Sequence, residues 1–122
     1  MFDFEKLEVY QVVKEANTST FRLVNALREI DGLVAEQWKR ASLSSMLNLA
    51  EGTGRMLKAD KKHFLTIARG SIFECVAILQ SQRELGLIDE VKYDELYRRY
   101  EQISKMLLGM YSKMLLGMYR SY

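Results

Sequence analysis

The chain of 122 residues contains no proline, one cysteine and one histidine. Sheet proteins of this length ordinarily place proline in their turns, so its absence points to long uninterrupted helices. The lone cysteine, Cys75, cannot close an internal disulfide, which suits a reducing cytoplasm, where we expect the protein to reside. In its apolar helical setting it reads as a small buried hydrophobe rather than a reactive thiol. With His63 as the only histidine, no metal site can draw on two histidines of one chain. Asp60-Lys-Lys-His63 has the i, i+3 spacing of a helical metal motif, but a di-iron bundle needs two Glu-x-x-His units and two further inward glutamates. His63, beside lysines at a helix start, therefore reads as a solvated surface residue, and no cofactor is expected. Ser44 and Ser45 have no histidine or lysine placed to activate them. The segment from Met1 to Lys14 alternates charged and apolar side chains without a signal-peptide core. No stretch reaches about 18 uncharged apolar residues, so no membrane span is expected. Together these shortages favour a protein that binds or scaffolds over an enzyme.

What is present describes one ordered domain. Hydrophobic residues make up 48% of the chain and charged residues 28%, a globular balance. A domain of this size removes roughly two thirds of its unfolded surface from water without needing a disulfide or a metal. Apolar residues recur at three- and four-residue steps in four segments. The first, about 4–28, carries Leu7, Tyr10, Val13, Asn17, Thr20 or Phe21, Val24 and Leu27, with Gly32 as the turn residue after it. The second, about 34–51, has two stripes: Trp38, Ala41, Ser45 and Leu49 on one side, Leu43, Met46, Leu47 and Ala50 on another. A helix with one wet face would show a single stripe, so this one is expected to touch more than its own core. Gly52-Thr53-Gly54 is expected to stop it. The third, about 61–85, starts after Asp60 as N-cap and carries Phe64, Ile67 or Ala68, Ser71, Cys75, Ile78 or Leu79, Gln82 and Leu85; Gly86 ends it. The fourth, about 89–119, opens at Asp89 and carries Tyr93, Tyr97 or Leu96, Tyr100, Ile103, Leu107, Met110 and Met114. Short connections make sequential helices neighbours, predicting an all-α, antiparallel, up-down-up-down four-helix bundle.

Ser104-Lys-Met-Leu-Leu-Gly-Met-Tyr111 recurs unchanged as Ser112-Lys-Met-Leu-Leu-Gly-Met-Tyr119. Eight residues at about 100° each overshoot two turns by roughly 80°, so the copies cannot present one face. We read a duplication that lengthens the last helix; the alternative is an apolar tail for a partner or a membrane surface.

Two constellations carry the functional reading. Ser44 and Asn48 lie one turn apart on an otherwise apolar helix and need a buried partner, for which Gly70-Ser71 in the third helix is the candidate, small residues allowing close approach. With Glu51 and Glu74 they form an expected structural polar layer that fixes register. The other is basic. The net charge of +2 is too small to argue for nucleic acid alone, and Gly52-Thr-Gly54-Arg55 follows a helix, unlike a phosphate-binding loop. But Arg55, Lys58, Lys61 and Lys62 surround the start of the third helix, where free backbone N–H groups favour an anion. They are the expected phosphate contacts, with Lys39 and Arg40 as second choices.

Arg40-Ala-Ser-Leu-Ser44, Asn48-Leu-Ala-Glu51-Gly52-Thr-Gly54-Arg55 and Phe64-Leu-Thr-Ile67-Ala68-Arg-Gly70-Ser71-Ile-Phe-Glu74 together resemble the signature of the four-helix bundle family of 23S rRNA intervening-sequence proteins. The opening Phe4-Glu-Lys-Leu7-Glu-Val-Tyr10-Gln11 fits it, as do Leu85-Gly-Leu-Ile88, Tyr93 and Glu101-Gln-Ile-Ser-Lys-Met-Leu107, so the resemblance spans essentially the whole chain. The chain departs from the family before the second helix, where Gly32-Leu33-Val-Ala-Glu36-Gln37 lacks the usual proline and hydroxyl cap. The resemblance implies a ring-like homopentamer. It also implies kinship with the accessory variability protein of diversity-generating retroelements, which binds nucleic acid and a reverse transcriptase. The expectation is a non-enzymatic oligomer that contacts RNA or DNA through phosphates. The alternative is a protein–protein scaffold or accessory subunit, for example for a reverse transcriptase.

Overall fold

A computed structural model describes residues 1–115 of the chain. A 3-10 turn at Asp3–Lys6 leads into α1 (Glu8–Ala26), α2 (Gly32–Gly54), α3 (Lys58–Glu84) and α4 (Glu90–Leu115), and no strand occurs among the described residues. The expected end of α4 at 119 lies outside them.

Local chemistry sets the helix ends, and it corrects three expectations. Asp31, not a turn at Gly32, starts α2: its Oδ1 accepts from the Leu33 and Val34 N–H groups at 2.9 and 3.2 Å. A carboxylate thus replaces the missing proline and hydroxyl cap, and its charge suits the helix N-terminus. Asp60 does not cap α3. That helix opens earlier, after Leu57, which offers no side-chain acceptor, and Asp60 lies in its first turn. Gly52-Thr53-Gly54 does not stop α2 but continues it. Two other ends fall as expected. Asp89 Oδ1 accepts from Lys92 N at 2.8 Å at the start of α4. Gly86, at φ 74°, closes α3, with Gly86 N donating to Arg83 O and Leu87 N to Gln82 O. This paired left-handed closure suits glycine because it carries no Cβ.

Gly52 is a packing residue. A Cβ there would lie 2.9 Å from Cβ of Phe64, so α2 and α3 approach too closely at this point for any larger side chain. Gly70 behaves differently from expectation. Its neighbour Ser71 is buried and bonded to α2, whereas Gly70 is exposed and a Cβ on it would meet nothing within 4 Å.

The helices form a four-helix bundle in which α2 touches α1 and α3, and α4 touches α3 and α1; the 3-10 turn packs on α1 and α2. The core seam of α4 is buried from Tyr93 through Leu96, Tyr100, Ile103, Leu107 and Met110 to Met114. Against it lie Val13 and Val24, Trp38 and Leu49, and Ile72 and Leu79. Full burial of each such side chain contributes about 1.5–3 kcal/mol. Where the sequence left two choices, Thr20, Ala68, Leu79 and Leu96 are the buried members. Leu85 is exposed instead of buried, because it sits at the C-cap where the chain leaves the helix. α3 is by length and composition apolar enough to cross a membrane; here it packs between α2 and α4. Of the two stripes on α2, Trp38, Ala41, Ser45 and Leu49 enter the core, while Leu43 and Leu47 face solvent.

Candidate nucleic-acid interface

The basic corner is built where α2 ends and α3 begins. Arg55 leaves α2 in extended conformation (φ −76°, ψ 145°), and its guanidinium lies 4.6 Å from the centre of the Phe64 ring. It pairs with Glu51 one turn back, both groups being about half exposed. Lys58 is exposed in the first turn of α3. Lys62 is half-buried, its ammonium 5.9 Å from the Tyr111 ring of α4. His63 is exposed and meets Phe64 edge-on at 5.6 Å. Arg55, Lys58 and Lys62 therefore hold three cations around a helix N-terminus whose cap residue leaves its N–H groups without a side-chain acceptor.

Lys61 does not belong with them. It is 2% exposed, and its Nζ donates to Thr53 O at 2.9 Å, inside the last turn of α2, where the helix dipole favours a cation. Burial pulls its pKa below the ordinary lysine value, and the Asp3 carboxylate in the 3-10 turn opposes the shift. Lys61 thus ties α3 to the last turn of α2, buried away from the solvent from which a phosphate would approach. The signal was present: Leu65, Ala68, Ile72, Cys75 and Leu79 form the buried stripe of α3, and one step back along it is Lys61. Lys39 and Arg40 lie elsewhere. Sixteen residues separate Lys39 from Arg55 along the chain, roughly 24 Å of helix. The Lys39 ammonium sits 5.8 Å from the Phe21 ring, and Arg40 pairs with Glu36 at 3.0 Å on the surface.

The expected polar layer divides. Ser71 Oγ donates to Ser44 Oγ at 3.0 Å, and Asn48 Nδ2 donates to Ser44 Oγ at 3.0 Å and Ser44 O at 2.9 Å. These three side chains join α2 to α3. Glu51 and Glu74 stay outside, the first paired with Arg55, the second accepting from Gln37 Nε2 at 3.0 Å on the surface.

A second polar layer, at the centre of the bundle, was not legible in the sequence. Trp38 Nε1 donates to the Tyr100 hydroxyl at 3.1 Å. That hydroxyl lies 2.6 Å from Thr20 Oγ1, whose own proton goes to Ala16 O at 2.7 Å; the Tyr100 proton is therefore the one between them. The buried Cys75 thiol lies beside this phenol. Each of the four helices supplies one member. Among the described residues no buried side-chain N or O lacks a partner.

Burial raises the Cys75 thiol from 9.0 to about 12, with the Tyr100 contact opposing. Burial likewise lifts Tyr100 above the ordinary phenol value. For such groups the native state holds its proton longer than the unfolded state, so stability is lost as pH rises above the unfolded value. Lys61 acts in the opposite sense, since its depressed value lets the folded state shed a charge first. Comparing the chain with its Cys75→Ala variant isolates the thiol. In urea titrations from about pH 7 to about pH 10.5, the stability difference between them is expected to shrink above 9.0, by at most about 1.4 kcal/mol per pH unit. A pH-independent difference would contradict the buried thiol.

Among the described residues no three histidine, cysteine or acidic side chains gather as a metal site. A family model described as 23S rRNA-intervening sequence protein matches residues 5–109. The chain belongs to this family. In this 23S rRNA-intervening sequence protein the matched span includes the basic corner and both polar layers. It ends inside the first Ser-Lys-Met-Leu-Leu-Gly-Met-Tyr copy, leaving the second beyond it. A solved protein of unknown function from the S23 ribosomal protein family of Bacteroides thetaiotaomicron is similar in structure, with a TM-score of 0.78 at 20% identity over 84% of this chain and 97% of that one. At that identity the likeness concerns the fold. No curated protein matches the chain.

Proposed function

We propose that this 23S rRNA-intervening sequence protein is a non-enzymatic, self-associating accessory protein that holds RNA or DNA through backbone phosphates at the α2–α3 corner. The observation that carries this is the cluster of Arg55, Lys58 and Lys62 at the uncapped start of α3. Phosphate oxygens there would meet side-chain cations and backbone N–H groups together. Arg55 lies over Phe64 and pairs with Glu51, an exposed ion pair that a phosphate can displace at little cost. A homopentameric ring would repeat this corner five times and so multiply a charge of only +2 per chain. Leu43 and Leu47, the exposed members of the second stripe of α2, support self-association. The helix directions belong to the same reading. Ser71 bonds Ser44 while Lys61 bonds Thr53, and Arg69 bonds Ser104 while Arg83 bonds Glu90. In both of these helix pairs, α2–α3 and α3–α4, one number rises as the other falls, which supports the antiparallel arrangement.

Filter binding against a structured RNA at several salt concentrations tests the proposal. The expected dissociation constant is on the order of micromolar or tighter and weakens with salt. Arg55→Ala, Lys58→Ala and Lys62→Ala together should lower the salt slope by about one per lost contact. No binding at low salt overturns the reading. The exposed apolar residues Phe73 and Leu108 favour one other reading, a protein scaffold or accessory subunit, for example for a reverse transcriptase; a pull-down would then return one stoichiometric protein in place of RNA.

A further inference from the structure

The outer faces of α2 and of the α3–α4 pair are both apolar, and they have opposite shapes. On α2, Leu43 (38% exposed) and Leu47 (53% exposed) stand one turn apart as a ridge. Between α3 and α4 run two hollows of about 360 and 390 Å³ that share Arg69 and Phe73 and so form one groove. Phe73 (54% exposed) and Leu108 (46% exposed) line it. Within one chain the ridge cannot reach the groove: Leu43 and Leu47 are exposed on the outer face of α2, whereas α2 meets α4 across the core, at the buried Trp38–Tyr100 hydrogen bond.

Gly70 lies on the groove wall. A glycine in mid-helix sacrifices helix stability, and an intramolecular reason is missing here, because an added Cβ would meet nothing within 4 Å. A second helix lying close against α3 from outside supplies that reason. The charges agree. Arg69 at the groove is tied to no carboxylate among the described residues; it stacks on Phe73 at 4.7 Å and donates to Ser104 O at 3.2 Å. The ridge is flanked by Glu36 and Glu51, which among the described residues are held in exposed pairs with Arg40 and Arg55 that exchange at little cost.

We propose that the Leu43–Leu47 ridge of one copy seats in the α3–α4 groove of a second copy, head to tail. The inference rests on the self-association proposed above and names the two surfaces that meet. Because ridge and groove lie on different faces, each copy uses both, and the contact repeats around a ring.

Light scattering on four samples tests it. The wild-type chain should have a single mass of more than two copies. Leu43→Glu with Leu47→Glu removes the ridge, and Phe73→Glu removes the groove; each variant alone should be monomeric. Mixed at high concentration, they should form a one-to-one dimer, since one intact ridge then meets one intact groove. The replaced side chains are exposed, and helical circular dichroism checks folding; Leu43→Ser with Leu47→Ser and Phe73→Ser replace any variant that fails. Gly70→Ala should weaken assembly while raising the melting temperature of the monomeric ridge variant. A wild-type oligomer that survives the ridge or groove variants overturns the interface and leaves self-association standing. A wild-type monomer overturns both. A mixture that stays monomeric overturns the head-to-tail contact.

Discussion

Replacing Trp38 with alanine is expected to lower the unfolding free energy by about 3–5 kcal/mol, a large share of the roughly 5–15 kcal/mol that holds a domain together. Trp38 is fully buried and contacts the central layer where all four helices meet. The loss has two sources. The truncated side chain leaves a cavity that the surrounding helices fill only in part. The Tyr100 hydroxyl, meanwhile, loses the indole donor and keeps its burial. Tyr100→Phe separates them, since it preserves the packing but leaves Trp38 N–H without its acceptor, at a cost of about 1–3 kcal/mol. Urea denaturation followed by far-ultraviolet circular dichroism gives both numbers. A Trp38→Ala loss below that of Tyr100→Phe would show that the site collapses around the missing ring.

Lys61→Glu should destabilise by about 3–5 kcal/mol, the scale of an uncompensated buried charge. It places a carboxylate against Thr53 O and the negative end of the α2 dipole, with Asp3 close by. Lys61→Met keeps the length and apolar stem but removes the donor to Thr53 O, so its cost should be nearer about 1–3 kcal/mol. Thermal melts check the stability order, and RNA titration supplies the contrast. Lys61→Met should bind structured RNA as the wild type does, while the Arg55, Lys58 and Lys62 variants weaken. Equal weakening in Lys61→Met would return that lysine to the surface.

These two residues also mark where the sequence could and could not be read. The four helices and the α4 seam were legible because apolar side chains recur at helical spacing over twenty residues or more. Ser44, Asn48 and Ser71 were legible because polar groups on apolar stripes need partners. Helix ends were harder, since a cap depends on a backbone angle and not on residue type alone. Asp60 has the chemistry of a cap but falls inside α3. Gly52 looks like a stop, yet its function is the contact with Phe64. Lys61 was misread because a lysine in a basic run looks solvated, although its place in the α3 stripe already pointed inward. The central layer was out of reach: Thr20, Trp38, Cys75 and Tyr100 are spread over eighty residues, and nothing local links them.

The repeated octapeptide changes meaning once its surroundings are known. Met106 is half-buried whereas its counterpart Met114 is buried, and Ser104 is half-buried whereas Ser112 is exposed. Identical words thus take different roles, because each copy starts about 80° further round the helix. Placed earlier in α4, the same eight residues would turn Tyr93, Leu96 and Tyr100 away from the positions that the other three helices have prepared for them. Placed after Tyr111, they leave that seam in register. The second copy thus begins where the seam facing the other three helices is already laid down, and its Met114 extends that seam by one more buried side chain.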